Sequence, residues 1–451
     1  MDGRQPRYPG QVPQLVERAR HLRQGAADRH RRLARLLDGE LPLDPAAGGR
    51  HARTAQADDR LRPHAPDEPQ GGARPSGRRQ LRRLLPARRC RDAGDLGHCR
   101  GRDPQAAGRG LELTAPILIW GAGAIGGSLG AAFLRAGHRV VFVDNVAAHV
   151  QAINATGLQI VGPIREDTVH APAFLPEELT GEFSRSFLCV KALHTVEAIR
   201  AMAPHVAADG YVVSAQNGLN EVEIAKVVGE KRTIGCFVNF GADYLDPGIV
   251  TYSGRGAVVV GELDGAMTDR ITALLRLMQD FDEAAVLTTN IWGYLWGKLI
   301  YGALLFATAL TNDSIADVLD NRSARPLLTR LGQEVGRVAD AQGVQTEAFN
   351  GFAPAAFMPG ASPATIDKSF ADMVAHNRRS AKSHSGIWRD LAIRKRKTEA
   401  EAQLGPIVAA GQRAGLATPL VERLIGMIAE IESGQRMLAM DNLTELARGT
   451  A

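Results

Sequence analysis

Residues 1–114 of this 451-residue chain contain no isoleucine, phenylalanine, tryptophan, asparagine or lysine. A segment built largely from Arg, Ala, Gly, Pro, Asp and Leu cannot bury enough apolar surface to offset the entropy of ordering, so disorder is expected along it. Its 24 Arg stand against 14 Asp plus Glu, a charge of +10, and by difference from the chain's +5 the remainder carries −5. The basic balance therefore belongs to this segment. An Arg-rich arm can serve nucleic acid or an anionic membrane surface, but here acids are interspersed and no lysine or aromatic platform accompanies the arginines, so neither partner is expected. A Leu/Arg run, LVERARHLRQGAADRHRRLARLLDGE, has the spacing of an amphipathic helix without an evident partner. No apolar targeting core is present. The expectation is a non-functional extension, such as a start assigned too early on GC-rich DNA would give, with the working chain opening near Thr114.

Cysteine is nearly as scarce, with four in the whole chain. Cys90 and Cys99 fall in the extension, and Cys189 and Cys236 fall in apolar, strand-like runs. None has metal-ligand spacing, so no metal is expected, and reduced, buried thiols in a cytoplasmic protein are the natural reading. Membrane-length apolar runs are also wanting. The longest, IWGYLWGKLIYGALLFATAL at 291–310, carries Lys298 in its middle and has no second such segment beside it. Its Gly293 and Gly297 make a G-x-x-x-G, yet a charge inside a lone span is costly in lipid, and a buried helix of a globular domain fits better.

What is present begins at Pro116. PILIW is a short apolar strand, GAGAIG follows at once, GSLGAAFLRAGH reads as a helix closed by Gly137, and RVVFVD is a second strand. This is a βαβ opening with G-x-G-x-x-G in the turn. Gly121 permits the tight turn, Gly123 lets the backbone approach a pyrophosphate, and Gly126 lets helix and strand pack closely, while Ala122, Ala124 and Ile125 supply the surrounding backbone at the helix start. Asp144, ending the second strand, suits a ribose 2′-hydroxyl and repels a 2′-phosphate, which favours NADH. Further strands end abruptly in polar groups: SFLCV in Lys191, and YVVSA in Gln216, Asn217 and Gly218. Because ligands of open parallel sheets bind outside the carboxyl ends of strands, Lys191 and Asn217 point to the mouth of one crevice.

LDPG at 245–248 reads as a turn, and IVTYSGRGAVVVGELDG after it as a β-hairpin closing the first domain. From Ile291 onward strands give way to helices. An ammonium in the apolar helix must be paired or have its pKa lowered, which makes Lys298 a candidate general acid. Later, Ser385 precedes the GIW helix in a position suited to a cap or a ligand contact, and RKRK runs straight into Glu399 and Glu401, as a solvated helix face does.

These pieces together resemble the ketopantoate reductases (2-dehydropantoate 2-reductases) over residues 115–447: GAGAIGG, VKALHT around Lys191, QNG at 216–218, GRGAVVVGELDG, the helix with Lys298, and SGIWRDLAIRKRKTE ending at Glu399. The resemblance implies an α/β Rossmann domain at 115–288, an all-α domain at 289–447 and NADPH in the cleft between them. It further implies Lys298 as proton donor, Lys191, Asn217 and Glu399 as cofactor contacts, and Asn217 and Ser385 as substrate contacts. The implied activity is reduction of 2-dehydropantoate to pantoate, in pantothenate biosynthesis, by a cytoplasmic monomer or homodimer whose only other partner is a small 2-keto acid.

The chain departs from the family where asparagines usually follow the catalytic lysine by one and two turns, for Gly302 and Phe306 stand there. A polar group of the substrate left without its partner costs about 1–3 kcal/mol. The alternatives are therefore a reductase or dehydrogenase of another 2-keto or 2-hydroxy acid or an opine-like amine, and a dinucleotide sensor without chemistry. The cofactor expectation is NADPH on the resemblance, with NADH open because of Asp144.

Overall fold

The computed structural model describes residues 115–379 and 383–448. The expectations for residues 1–114 lie outside the described residues. The path runs through β1 (Ile117–Trp120), α1 (Ala124–Arg135), β2 (Val140–Val143), α2 (Ala147–Thr156), β3 (Leu158–Val161), β4 (Asp167–Val169), β5 (Ala173–Phe174), β6 (Phe183–Leu188), α3 (Thr195–Met202), β7 (Val206–Ser214), α4 (Glu221–Val228) and β8 (Thr233–Val238). It continues through β9 (Gly241–Asp246), β10 (Ile249–Gly254), β11 (Val258–Glu262), α5 (Asp269–Phe281) and β12 (Val286–Leu287).

Eight strands form one sheet in the order β5-β2-β1-β6-β7-β8-β11-β12. Pairing is parallel from β5 to β8, antiparallel between β8 and β11, and parallel again to β12. β1 reads ILIW, with every side chain at most 3% exposed, because a parallel sheet is covered on both faces and its strands are apolar throughout. Ile117, Ile119 and Phe187 pack to one side with Leu129 and Phe133 of α1 and Ile271 of α5. Leu118, Trp120 and Leu188 pack to the other with Ile199 and Met202 of α3 and Ile224 of α4. The strand order reverses between β1 and β6, and it is at such a switch point that open α/β sheets bind ligands.

A second sheet, β4-β3-β10-β9, lies against α1, where a Cβ on Gly127 would touch Val250 and Leu158 at 3.2 and 3.3 Å. The hairpin expected at 249–265 is not formed. β10 pairs with β9 and β3, whereas β11 pairs with β8 and β12. β10 alternates buried and half-buried positions and β11 is buried throughout, patterns that fix faces and name no neighbour, and the connection between them is pinned elsewhere: the Asn239 amide donates to the Ala257 carbonyl at 2.9 Å. The LDPG turn joins β9 to β10, with Gly248 at φ +76°.

Helices follow: α6 (Ile291–Thr308), α7 (Ile315–Asp320), α8 (Arg325–Ala341), α9 (Pro363–Arg379), α10 (Gly386–Trp388), α11 (Ala400–Arg413), α12 (Pro419–Glu432) and α13 (Asp441–Arg448). α6 is the buried axis of this part. The Asn290 side chain caps its start by accepting from the Gly293 amide at 3.1 Å. Gly293 and Gly297 face a crossing segment, since a Cβ on Gly297 would lie 2.6 Å from the Glu347 carbonyl, and the Glu347 amide donates to the Gly293 carbonyl at 2.9 Å. The G-x-x-x-G thus admits a loop rather than a second membrane helix, and among the described residues no helix is long and apolar enough to cross a membrane.

α6 also packs on the sheet. Ile291 lies over Gly235 of β8 and Gly261 of β11, whose added Cβ atoms would come within 2.6 and 3.0 Å of it. Phe237 and Val259 join the same core as the helices. That shared core holds α6, and with it Lys298, against the end of β8.

Candidate active site

The glycine turn behaves as three different glycines. Gly121 has φ +94°, and a Cβ there would lie 2.8 Å from the Val190 amide nitrogen. At Gly126 a Cβ would overlap the Gly121 carbonyl oxygen and sit 2.8 Å from Ile119 Cγ2, so helix and strand touch through the missing side chain. At Gly123 a Cβ would meet nothing within 4 Å. Gly123 faces open space at the N-terminus of α1, whose first amides cannot find partners inside the helix. Such a cradle fits a pyrophosphate.

Ala122 is fully buried, and its amide donates to Asp144 Oδ2 at 3.0 Å; the Val146 amide donates to Oδ1, also at 3.0 Å. Asp144 therefore ties the glycine turn to the end of β2 and stands beside the turn as an oriented acceptor. Residues 145–149, NVAAH, supply no Lys or Arg next to it, and His149 is fully buried, with Nε2 bonded to the Ala122 carbonyl at 2.9 Å.

Across the cleft, Lys298 Nζ donates to Asn217 Oδ1 at 2.6 Å and to the Val238 carbonyl, and it lies 5.2 Å from the centre of the Phe237 ring. Burial lowers its pKa to about 8, against the pull of nearby Cys236, Glu399 and Glu221. Two residues 81 positions apart are thus brought into contact. Asn217 is held by a buried relay: Gln216 Nε2 donates to the Val190 carbonyl and to Thr195 Oγ1, Thr195 Oγ1 donates to Asn220 Oδ1, and Asn220 Nδ2 donates to the Asn217 carbonyl, all at 2.7–2.8 Å. Gly218 at φ +104° turns the chain immediately afterward.

Lys191 Nζ reaches Asp390 Oδ2 at 2.8 Å. Asp390 also accepts from Arg394 at 3.1 Å and Arg396 at 2.9 Å. Its burial would raise the carboxyl pKa, but hydrogen bonds and charge from Lys191, Arg396 and Arg394 outweigh that and hold it below the usual range. Glu399, just ahead of α11, accepts from the Ala192 amide at 2.8 Å. Lys191 and Glu399 therefore both join the two domains where the cleft closes. Ser385 is 8% exposed and caps α10 by accepting from the Trp388 amide at 3.1 Å, after which the chain makes a wider turn over Arg389–Ile393.

Glu221, the first residue of α4, is fully buried. Burial pushes its carboxyl up to about 7, against the opposing pull of its own backbone amide, Ser214 and Lys298. Sequence reading passed over Glu221 and Asp390, since each reads as an ordinary helix acid until the fold buries it. Thr195 and Asn220 were missed too, though polar residues beside QNG could have drawn attention. Cys189 and Cys236 are free. Burial pushes the Cys236 thiol up to about 12 and raises the Cys189 pKa as well, so neither is an ionised nucleophile.

Two family models match this arrangement in order: "Ketopantoate reductase PanE/ApbA" over residues 117–265 and "Ketopantoate reductase PanE/ApbA C terminal" over 290–432. The chain belongs to the ketopantoate reductase family. A 2-dehydropantoate 2-reductase of Archaeoglobus fulgidus is 29% identical over 320 residues, 70% of this chain and 98% of the relative. The solved PanE/ApbA family ketopantoate reductase of Ralstonia eutropha JMP134 superposes with a TM-score of 0.61 at 25% identity, covering 71% of this chain and 99% of that one. A D-mandelate dehydrogenase solved with NADH and anilino(oxo)acetate shares the fold at 21% identity, with a TM-score of 0.61 over 71% of this chain and 99% of its own. Membership of the family makes the chain an oxidoreductase with a nicotinamide dinucleotide as cofactor. Its Rossmann domain followed by a helical domain is the fold expected from the resemblance.

Proposed function

We propose that the protein reduces the ketone of a 2-keto acid, 2-dehydropantoate being the substrate implied by its family, with Lys298 as the proton donor. The observation that carries this reading is the Lys298–Asn217 contact at the mouth of the glycine-turn crevice. The reduced nicotinamide, when bound, supplies the hydride to the carbonyl carbon. Lys298 Nζ gives its proton to the carbonyl oxygen as negative charge develops there, and the ammonium is restored from solvent, so that one proton is taken up for each 2-hydroxy acid formed. Asn217 orients the ammonium, and its amide nitrogen is free to face the substrate. The glycine turn, Asp144, Lys191 and Glu399 border the dinucleotide, and Ser385 stands by the substrate. A sensor without chemistry would have no use for an ammonium held at a lowered pKa in the cleft.

The pKa direction fixes a pH dependence. A donor must be protonated, and Lys298 loses its proton as pH rises through about 8. We expect kcat/KM to be level below that pH and to fall about tenfold per pH unit above it. A pH–rate profile checks this, and a basic limb near the ordinary lysine value of about 10.4 would contradict a donor whose pKa burial has lowered.

For the cofactor we propose NADH, in place of the NADPH implied by the resemblance. The support is Asp144, oriented by two backbone amides with no cation in the five residues after it, because a 2′-phosphate brought to that carboxylate would meet like charge. NADH is expected to bind at least about tenfold more tightly than NADPH, and Asp144→Ala to reduce that ratio by a similar factor. Dissociation constants for both dinucleotides on both proteins decide the matter, and a tenfold preference of the wild type for NADPH would reverse the assignment.

A further inference from the structure

We infer that His149 is the positioning residue of the dinucleotide cradle: from beneath the glycine turn it aims the Gly123 amide outward, at the pyrophosphate. The inference rests on the dinucleotide site read at that turn and adds the residue that shapes it.

His149 lies in the first turn of α2 and is fully buried. The start of α2 is moored to Asp144 through the Val146 amide at 3.0 Å, which places the imidazole under the turn. Both ring nitrogens are engaged. Nδ1 accepts from the Gly248 amide at 2.8 Å, so in the neutral ring the proton sits on Nε2, and Nε2 donates to the Ala122 carbonyl at 2.9 Å. The Tyr244 ring stands edge-on to the imidazole at 5.1 Å. Gly248 is held in its turn, since its carbonyl accepts from the Gln159 amide at 2.8 Å. The imidazole is thus a strut between the LDPG turn of the second sheet and the glycine turn of the first.

The effect of the strut follows from the planarity of one peptide. The Ala122 carbonyl and the Gly123 amide belong to the same unit, and in a trans peptide they point opposite ways. A carbonyl drawn inward to His149 therefore sends the Gly123 N–H outward, toward the open space that Gly123 faces. The preceding peptide is set in the same manner. The Ala122 amide goes to Asp144 at 3.0 Å, and the Gly121 carbonyl points beneath α1, where a Cβ on Gly126 would overlap it. Asp144 and His149 between them fix both peptides that flank Ala122. The helix does not do this for the Ala122 carbonyl, because its ladder begins one residue later, with the Gly123 carbonyl accepting from the Gly127 amide at 2.7 Å. An apolar side chain at 149 would leave the buried Ala122 carbonyl and the Gly248 amide without these partners. The Ala122–Gly123 peptide would then be free to rotate, and a cradle whose supporting contacts are lost no longer presents its amide in a set direction.

The test compares His149→Leu, which removes both bonds, with His149→Gln, whose amide offers a donor and an acceptor at similar reach, in the full-length protein. Calorimetry is run with the preferred reduced dinucleotide, ADP-ribose and adenosine. The leucine variant should bind the first two, which carry the pyrophosphate, at least about tenfold more weakly, and adenosine, which lacks it, less than about twofold more weakly. The glutamine variant should stay within about threefold of wild type for all three. KM for the dinucleotide should rise with the dissociation constant while kcat at saturation changes less than about threefold, because Lys298 and Asn217 are untouched. Unchanged binding of the pyrophosphate ligands by the leucine variant, equal weakening of adenosine, or a glutamine variant no better than the leucine variant would overturn the inference. Nitrogen NMR of the histidine-labelled wild type tests it without any variant: the proton is expected on Nε2, and a proton on Nδ1 would overturn it. Binding of the dinucleotide with no reduction of any 2-keto acid would remove the reductase reading and leave this inference standing. No binding of either dinucleotide by the wild type would remove the cradle, and this inference with it.

Discussion

Lys298→Ala is expected to lower kcat at least about 10²-fold while the dissociation constant for the dinucleotide changes by less than about fivefold. The two readouts separate because the groups involved lie on different elements. Lys298 sits on α6 and bonds Asn217 and the Val238 carbonyl, whereas the proposed dinucleotide cradle is the turn after β1 with Asp144 behind it. A proton delivered in the transition state contributes to kcat and kcat/KM together, so both should fall alike. Lys298→Arg should be nearly as inactive, since a guanidinium keeps the charge but does not release its proton near neutral pH. If the alanine variant retains more than a tenth of wild-type kcat on its best substrate, Lys298 is a structural lysine and the mechanism is wrong.

The second large effect is a contrast between two glycines in one turn. Gly123→Ala should weaken dinucleotide binding at least about tenfold with the melting temperature nearly unchanged, because its Cβ meets no protein atom and only fills the approach to the pyrophosphate. Gly126→Ala should instead lower the melting temperature by several degrees, because its Cβ would overlap the Gly121 carbonyl and press on Ile119, and overpacking of this kind costs about 1–3 kcal/mol. Thermal melts and binding isotherms on the two variants check the pair. Equal loss of stability in both would mean that the open space at Gly123 is not a ligand's.

The difference between these glycines also shows which parts of the molecule the sequence discloses. The strand–turn–helix around Gly121 is local, so its spacing alone announced it. Lys298 was conspicuous as one charge in an apolar helix, and Asn217 as a polar stop after a buried strand. Asp390 was not, because its partner Lys191 is 199 residues away and the pair exists only once the domains meet. Glu221 sits at the start of an amphipathic helix, where acids are common, and nothing local reveals that the fold buries it. The strands of 249–265 were legible as strands but not in their pairing, since a hydrophobic pattern specifies buried faces and not a neighbour.

The most direct test of the central claim is to follow nicotinamide absorbance and product together when the full-length protein is mixed with a reduced dinucleotide and a panel of 2-keto acids. The account predicts consumption of one reduced dinucleotide for each 2-hydroxy acid formed with at least one member of the panel. Tight binding of the dinucleotide with no consumption on any 2-keto acid would contradict it and leave a sensor in place of an enzyme.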